Sequence, residues 1–212
     1  MTERRGRFIT FEGTDGSGKT TQMRLLAERL AASGREVVET QEPGGTEIGM
    51  QIRRILLDPG NNRLCPIAEM LLYFAARAQN FDERILPAWD RGSLVLSDRF
   101  TDSTLAYQGG GRGLGPATIL QLHDIACHGL QPDLTLYIDI DAETSLDRVR
   151  ADRKLDRIET ETSEFHSRVR EAYLKLAAAN PRRIRIVDGR GSVSEVSSRV
   201  WDVVSRELQS HA

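Results

Sequence analysis

The sequence predicts an α/β fold in which helices cover both faces of a five-stranded parallel sheet. Short β-branched runs alternate with longer amphipathic segments, an order typical of parallel strands joined by helical crossovers. A length of 212 residues suits one buried core better than two, and no linker or internal repeat divides the chain. We therefore expect a single domain that comprises residues 1–212.

Each element of this fold has a signal in the sequence. Five aliphatic runs are the predicted strands, at residues 7–12, 36–40, 94–98, 134–139 and 184–188. Between them, apolar residues recur at helical spacing and predict helices with one face on the core, over residues 23–30, 165–176 and 193–204. Residues 66–89 also predict a helix, although Arg77 and Arg84 interrupt its apolar composition.

Composition and charge exclude several functional classes. Charged residues make up 28% of the chain and the formal net charge is −2, so no basic field is available to bind a nucleic-acid backbone. No stretch approaches the roughly 18 to 20 apolar residues that span a bilayer. The charged N-terminus is not followed by the apolar core of a signal peptide. We expect a cytoplasmic protein that binds neither nucleic acid nor membranes.

The cysteines and histidines predict neither a disulfide framework nor a structural metal. Cys65 and Cys127 are the only cysteines, and they lie far apart with no CxxC pairing. We expect two buried thiols. The four histidines show no recognised metal-ligand spacing.

The strongest motif follows the first predicted strand. Residues 13–20 read Gly-Thr-Asp-Gly-Ser-Gly-Lys-Thr and match the pattern GxxxxGK[ST] between a strand and a helix. Glycines let consecutive backbone N–H groups turn toward a phosphate, and the next helix presents its free amides and positive dipole end. This predicts a P-loop NTPase three-layer sandwich whose ATP-binding residues are Gly13, Thr14, Asp15, Gly16, Ser17, Gly18, Lys19, Thr20 and Thr21.

Two side chains of this loop have predicted roles in chemistry. Lys19 is expected to reach the β- and γ-phosphates, and the Thr20 hydroxyl is expected to coordinate Mg²⁺. The loop alone does not separate a kinase from a GTPase or a motor ATPase. However, the chain has no NKxD-type guanine motif, and its length leaves little room for the machinery of a large ATPase.

An acidic and a basic residue, Asp98 and Arg99, follow the predicted strand 94–98. Because the carboxyl ends of parallel strands meet at the ligand crevice, both should face the same pocket as the P-loop. The Asp98 carboxylate would be able to orient the ligands of Mg²⁺, and the planar Arg99 guanidinium would be able to bind a phosphate. A local surface ion pair is the alternative.

Several segments together resemble the bacterial thymidylate kinases. They occur in that family's order and are FEGTDGSGKTTQ (11–22), EPGGTEIG (42–49), YFAAR (73–77), DRFTDSTLAYQGGGRGL (98–114), PDLTLYIDI (132–140) and LDRIE (155–159). The resemblance implies a single nucleoside monophosphate kinase domain that uses ATP and Mg²⁺ to phosphorylate dTMP to dTDP. It also implies a homodimer.

Carried over by position, the resemblance implies an acceptor site. Asp15 would hold the 3′-hydroxyl, Arg99 would bind the phosphate, and Tyr73 would stack on thymine, one helical turn before a second acceptor-binding arginine, Arg77. Tyr107 would crowd the 2′ position of the sugar, or else only pack in its helix. The other implied dTMP-binding residues are Asp98, Ser103, Thr104 and Gln108.

The charged segment at residues 147–157 would be the lid of this domain. Without the resemblance it fits a solvated helix face equally well. Bacterial members without a basic residue in the P-loop generally supply an arginine from this lid, which implies Arg153 as a catalytic residue together with Lys19, Asp15 and Arg99. Asp152 occupies the position where that arginine is expected, so Arg148 and Arg150 stay open.

The chain departs from the family's pattern at Gln41, where an arginine is expected before EPGG. What replaces its charge is open, and so is the role of Glu42. Residues 42–46 either border the acceptor site or only form a turn. For adenine, the candidate region is residues 182–183 and 188–190, expected after the last strand. The rival readings are a nucleoside kinase and a protein that binds ATP without turnover.

Overall fold

The computed structural model describes residues 6–152 and 154–209, and it has the predicted sheet at its centre. Five parallel strands lie in the order β2-β3-β1-β4-β5. They are β1 (Arg7–Glu12), β2 (Val37–Gln41), β3 (Leu94–Asp98), β4 (Leu134–Asp139) and β5 (Ile184–Asp188). The predicted sheet is confirmed, with β2 shifted by one residue.

Helices connect the strands and cover both faces of the sheet. Those in the described part of the chain are α1 (Lys19–Ala32), α2 (Glu47–Leu57), α3 (Pro66–Asn80), α4 (Leu86–Asp90), α5 (Thr101–Thr104), α6 (Pro116–Cys127), α7 (Ala142–Asp152), α8 (Ser163–Ala179) and α9 (Val193–Gln209). None of them is long and apolar enough to cross a bilayer.

Two π-helical turns interrupt the regular helices. Phe81–Ile85 joins α3 to α4, so the predicted helix 66–89 exists as one helix with a wider turn inside it. Pro87 lies directly after this turn and has no N–H to donate to the preceding turn, which favours such a local widening. The second π-helical turn, Leu105–Gly111, continues α5.

The residues of β1 explain why both faces are covered. Alternate residues of a strand point to opposite faces. Ile9 and Phe11 belong to the apolar cluster that contains α1 and α9, whereas Phe8 packs against Phe100 on the other face. The same alternation turns Glu12, which is fully buried, toward the face on which α5 and α8 lie.

Glycines bring the turn Leu105–Gly111 close to α8. A Cβ added to Gly110 would lie 2.5 Å from the Cβ of Ala172, and one added to Gly111 would lie 2.5 Å from the ring of Phe165. Both distances are far inside van der Waals contact, so a larger residue would force the two elements apart. The close packing places the rings of Tyr107 and Tyr173 together, with centroids 6.3 Å apart.

Two side chains that we expected in the core are exposed. Cys65 is the N-cap residue of α3, and Val193 is the first residue of α9 and is 56% exposed. Both lie at the start of a helix, where their side chains do not pack against the sheet. Cys127 is buried, as predicted.

Candidate active site

The phosphate-binding loop lies at the carboxyl end of β1, the central strand. Gly13, Gly16 and Gly18 have φ values of 145°, 80° and 88°, a region that residues with a side chain rarely adopt. A Cβ on Gly16 would also lie 2.3 Å from the carbonyl oxygen of Ser145 on α7. The loop leads directly into α1, whose first turn leaves backbone N–H groups without helical partners. This is a site for an anion.

Charged and polar side chains surround the start of α1. The buried Lys19 Nζ lies 3.4 Å from the Thr14 carbonyl oxygen and 3.4 Å from Asp15 Oδ1. Thr20 Oγ1 donates a short hydrogen bond to Asp98 at the end of β3. Asp98 therefore faces the P-loop, as the parallel sheet predicts. Further residues that line this open groove are Gly18, Thr21, Arg148 and Val149.

A second cavity begins on the other side of Asp15. It brings together seven of the predicted acceptor-site residues, which are Asp15, Tyr73, Arg99, Ser103, Thr104, Tyr107 and Gln108. The cavity also contains side chains that sequence reasoning missed, namely Arg53, Leu57, Asp156 and Ile158. Residues Glu42 and Pro43 line it as well, so the 42–46 loop borders this cavity.

Arg99 and Asp15 form the ion pair that separates groove and cavity. Arg99 Nη2 donates to Asp15 Oδ1 over 2.8 Å and to the hydroxyl of Tyr107 over 3.2 Å. Burial opposes ionisation of Asp15, but the charges of Arg99 and Lys19 outweigh it and hold the pKa of this carboxyl well below its usual range. Asp15 is therefore a fixed anion that the two cations share.

The backbone of Arg99 is in the left-handed region, with φ at 74°. Residues other than glycine rarely adopt this conformation, and it costs of order 1 to 3 kcal/mol unless the surroundings impose it. Here the backbone N–H donates to the Phe11 carbonyl oxygen over 2.9 Å, and the carbonyl oxygen accepts from Ser97 over 2.7 Å. The strained turn directs the guanidinium to Asp15.

Arg77 lies behind the cavity wall rather than among the side chains that line it. It is 1% exposed, and its Nε donates to Glu42 over 2.6 Å. Nη2 donates to the Phe100 carbonyl oxygen and to Thr104 Oγ1, over 3.1 and 3.0 Å. Nη1 is buried without a hydrogen-bond partner among the described residues. Only Nη1 is thus available to another group.

This ion pair answers the question left open for Glu42. Its second oxygen, Oε1, accepts from Asn80 over 3.2 Å. Burial raises the pKa of Glu42, while the charge of Arg77 acts against it. The carboxylate compensates the buried guanidinium and ties the 42–46 loop to α3.

The missing arginine at position 41 has a counterpart on α2. Gln41 Nε2 lies 3.7 Å from a sulfur, Met50 Sδ. Arg53 lines the acceptor cavity and donates to the Pro43 carbonyl oxygen over 2.8 Å. Arg53 could have been predicted from its position in α2, one and a half to two helical turns after the N-cap residue Thr46, because α2 starts beside the 42–46 loop.

The predicted lid divides into two parts. Its first part is α7, where Arg148 Nη1 lies 3.3 Å from the carbonyl oxygen of Gly16. Arg153 lies outside the described residues. The last residue of the predicted lid, Arg157, is 6% exposed, and its Nη1 lies 2.6 Å from Glu69 Oε2.

Glu69 is the centre of a buried ionic cluster. It is fully buried on α3 and accepts hydrogen bonds from Arg112 and, over 2.8 Å, from Gln108 Nε2. Arg157 Nε also donates to the Leu56 carbonyl oxygen over 2.7 Å. The end of the predicted lid is therefore tied to the C-terminal end of α2 and to α3, beside the second cavity.

The proposed adenine region is wrong for residues 182–183. They precede β5 rather than follow it, and Arg183 forms a bidentate ion pair with Asp102 at the amino ends of the strands, away from the P-loop. Asp188 does lie at the carboxyl end of β5, where it pairs with Arg190 over 2.7 Å. Only residues 188–190 stay a candidate for the adenine site.

Comparison with known proteins gives a consistent answer. A model of the family described as "Thymidylate kinase" matches residues 11–200. The chain belongs to the thymidylate kinase family. A protein named thymidylate kinase from Pelobacter propionicus is 51% identical over 201 residues, which cover 92% of each chain. One from Enterococcus faecalis is 48% identical over 202 residues, which cover 94% of this chain and 95% of its own.

A solved structure supports the same family. The crystal structure of thymidylate kinase from Ehrlichia chaffeensis superposes with a TM-score of 0.79 at 35% sequence identity, covering 95% of this chain and 99% of its own. The P-loop NTPase fold predicted from the sequence is thus confirmed, and so is the resemblance to the thymidylate kinases.

Proposed function

We infer that this chain transfers the γ-phosphoryl group of ATP to dTMP, giving dTDP and ADP for dTTP synthesis. The observation that carries this inference is the position of Asp15, which is at once a P-loop residue and a wall of the acceptor cavity. A donor bound in the loop and an acceptor bound in the cavity would have their phosphates on either side of it. The family to which the chain belongs supplies the identity of the two nucleotides.

On the donor side, the loop 13–18 would bind the phosphates of ATP through its backbone N–H groups. Lys19, now shared between Thr14 and Asp15, would move to the β- and γ-phosphates. Arg148 on α7, beside Gly16, and the lid residue Arg153 are the candidates for a cation on the transferring phosphoryl group.

Mg²⁺ would bind beside Thr20. No group of three or more histidine, cysteine, aspartate or glutamate side chains in residues 6–152 and 154–209 could hold a metal ion alone. A Mg²⁺ ion that uses few protein ligands and several phosphate oxygens fits this arrangement. The hydrogen bond from Thr20 to Asp98 fixes the hydroxyl that would coordinate it. Bound there, Mg²⁺ would neutralise charge that develops on the phosphates.

On the acceptor side, Arg99 would bind the dTMP phosphate. Arg53 would supply a second positive charge, in place of the arginine that is expected at position 41, where this chain has Gln41. Asp15 would accept a hydrogen bond from the 3′-hydroxyl. Tyr107, whose hydroxyl lies 3.3 Å from Asp15, would lie against the sugar and exclude a 2′-hydroxyl.

Recognition of the base would come from the α3 side of the cavity. Tyr73 would stack on thymine. Arg77 lies behind the cavity wall, and the wall would shift on binding so that its unpartnered Nη1 donates to a base oxygen, since a buried guanidinium nitrogen needs an acceptor. Thr104 is fixed by Arg77, and Gln108 by Glu69, so both present one defined edge to the base.

The reaction needs no general base. The second pKa of the dTMP phosphate is near 6, so the nucleophilic oxygen is ionised at neutral pH. Both reactants are anions, and the barrier lies in bringing them together in line. The cations named above, of which Lys19 and Arg99 are both paired with Asp15, would lower this barrier through charge and position.

Acceptor selectivity tests the proposed function. ADP release from Mg²⁺-ATP is measured with dTMP, dUMP, UMP, dCMP, AMP or thymidine as the only acceptor. We expect the highest kcat/KM with dTMP and, because a methyl group contributes about 1 to 3 kcal/mol, a value about 10- to 200-fold lower with dUMP. Activity with thymidine but not dTMP would indicate a nucleoside kinase. Absence of acceptor-dependent release would indicate a protein that binds ATP without turnover.

A homodimer is part of the proposal. Exposed large apolar side chains concentrate on the neighbouring helices α2, α3 and α6, including Ile55, Ile67, Leu71 and Leu120, whose exposed fractions lie between 43% and 51%. An apolar surface of this kind is typical of an interface, and a second copy of the same face would cover it. Since ATP and dTMP are anions that membranes exclude, we expect this dimer in the cytoplasm that holds both.

Sedimentation velocity tests the dimer. Leu71→Asp places a charge in the centre of this face and should shift the protein from dimer to monomer, because an unpaired charge is not tolerated in an apolar interface. Val193→Asp, on α9 at the opposite face of the sheet, changes an equally exposed residue and should leave the dimer intact. A wild-type protein that sediments as a monomer would contradict the proposal.

A further inference from the structure

A buried carboxylate lies behind Arg99 and has no part in the proposed chemistry. Glu12, at the end of β1, is fully buried. Its Oε1 accepts from the backbone N–H of Phe100 over 2.7 Å. Its Oε2 accepts from the hydroxyls of Ser103 and Tyr173, the latter over 2.8 Å. Of these donors, Ser103 lines the acceptor cavity, and Phe100 directly follows the cavity residue Arg99.

The same two hydroxyls contact Arg99. Its Nη1 lies 3.0 Å from Ser103 Oγ and 3.4 Å from Tyr173 Oη. Each hydroxyl has one proton. If both protons point to Glu12, the oxygen lone pairs are left to face Arg99, and both can accept from Nη1. Nη2 then remains directed to Asp15 and Tyr107 in the cavity.

We propose that Glu12 is a positioning residue that turns the hydroxyl protons of Ser103 and Tyr173 away from Arg99 and thereby holds the guanidinium for the acceptor phosphate. The proposal rests on the function proposed above, in which Arg99 binds the phosphate of dTMP. Glu12 does not touch the substrate, and its effect passes through the two hydroxyls.

The same network also holds the strained backbone of Arg99. A residue with φ at 74° returns to a relaxed conformation unless its neighbours prevent it. Glu12 binds the N–H of Phe100, the next residue, and through Ser103 and Tyr173 it also supports the side chain. One carboxylate thus holds both the backbone and the guanidinium of the strained turn.

The charge on Glu12 decides the direction of the hydroxyls. Burial, reinforced by the charge of Asp102, raises the pKa of Glu12 to about 7, while Arg99 and the hydrogen bonds from Ser103 and Tyr173 act against this rise. Two further cations, Arg77 and Arg183, also interact with its charge. On protonation below this pKa, Oε2 or Oε1 becomes a donor, and one of the present donors loses its acceptor. Binding of dTMP should therefore weaken as the pH falls.

Glu12→Gln is the decisive variant because it keeps the shape and removes the charge. With Oε1 still accepting from Phe100, the amide nitrogen faces Ser103 and Tyr173 and donates to both. Ser103 Oγ and Tyr173 Oη lie 2.9 Å apart, so one hydroxyl can donate to the other, and the remaining hydroxyl proton is left without an acceptor beside Arg99. We expect the Kd of dTMP, measured by isothermal titration calorimetry, to rise about 10- to 100-fold. The Kd of ATP should stay within about threefold, because Lys19 and the loop are not part of the network.

A second background separates the hydroxyl relay from a direct effect of charge. In Ser103→Ala/Tyr173→Phe, the two oxygens that couple Glu12 to Arg99 are absent, so adding Glu12→Gln should change the Kd of dTMP by less than about threefold. An equal loss in both backgrounds would overturn the relay. If Glu12→Gln does not fold, as seen by circular dichroism, then Tyr173→Phe alone, which removes a hydroxyl of the network that does not line the cavity, must weaken dTMP and spare ATP. An unchanged Kd of dTMP would then overturn the proposal.

The pH profile gives an independent readout. Since protonated Glu12 resembles glutamine, the wild-type kcat/KM for dTMP should fall about 10- to 100-fold more between about pH 8 and pH 5 than that of Glu12→Gln. The profile of Glu12→Gln should follow only the substrate phosphate, whose pKa is near 6. Relative profiles that superimpose would overturn the proposal. Wild-type protein that neither binds nor phosphorylates dTMP would instead refute the proposed function, so the two failures are distinguishable.

Discussion

Replacing Lys19 with alanine is expected to lower kcat by about 100- to 1,000-fold, the effect of removing one preorganised donor from a developing charge. The side chain is buried between the loop and Asp15, where water cannot replace its charge. Its loss removes a cation from the β- and γ-phosphates and also leaves Asp15 with Arg99 as its main counter-charge. The measurement is the single-turnover rate with saturating Mg²⁺-ATP and dTMP.

A matched lysine provides the control for this prediction. Lys175 on α8 is exposed and pairs with Glu171 one turn earlier, over 2.8 Å. Lys175→Ala should leave kcat unchanged, because an exposed ion pair of this kind contributes little and lies outside both cavities. If Lys19→Ala retained most of its single-turnover rate while Lys175→Ala behaved as wild type, Lys19 would not act on the transferring group.

The sheet and the donor site were predictable because their signals are local. Strand bounds follow from short aliphatic runs, and the P-loop follows from eight consecutive residues. Asp98 was predicted beside Thr20 by one general property of parallel sheets, that the carboxyl ends of their strands meet. None of these inferences required knowledge of which helix packs on which.

The acceptor site was predicted less completely because its supports are distant in sequence. Seven of its lining side chains followed from the resemblance, but Arg53, Leu57, Asp156 and Ile158 did not, and neither did the partners that fix the lining residues. Glu42 lies 35 residues from Arg77 in the sequence, and Glu69 forms ion pairs with arginines from two other segments. Arg157 illustrates the limit, because it lies in a charged segment with Lys154, Asp156 and Glu159, and its contacts with α2 and α3 arise only in the folded chain.

The ion pair between Glu42 and Arg77 allows the structural role of Arg77 to be separated from its proposed role in binding. Glu42→Ala leaves the guanidinium buried and without a counter-charge. We expect it to lower the free energy of unfolding by about 3 to 5 kcal/mol, which for a chain of this size corresponds to roughly 6 to 20 °C in Tm. The measurement is thermal unfolding by calorimetry without nucleotide.

Removing both charges should be far less costly than removing one. In Glu42→Leu/Arg77→Met, apolar side chains of similar length replace the pair, and such replacements are often neutral in stability. This variant should regain most of the lost Tm yet bind dTMP weakly, because no Nη1 remains to meet the base. Glu171→Ala, which breaks an exposed pair, is the control and should not change Tm. A double variant that bound dTMP as tightly as wild type would restrict Arg77 to a structural role.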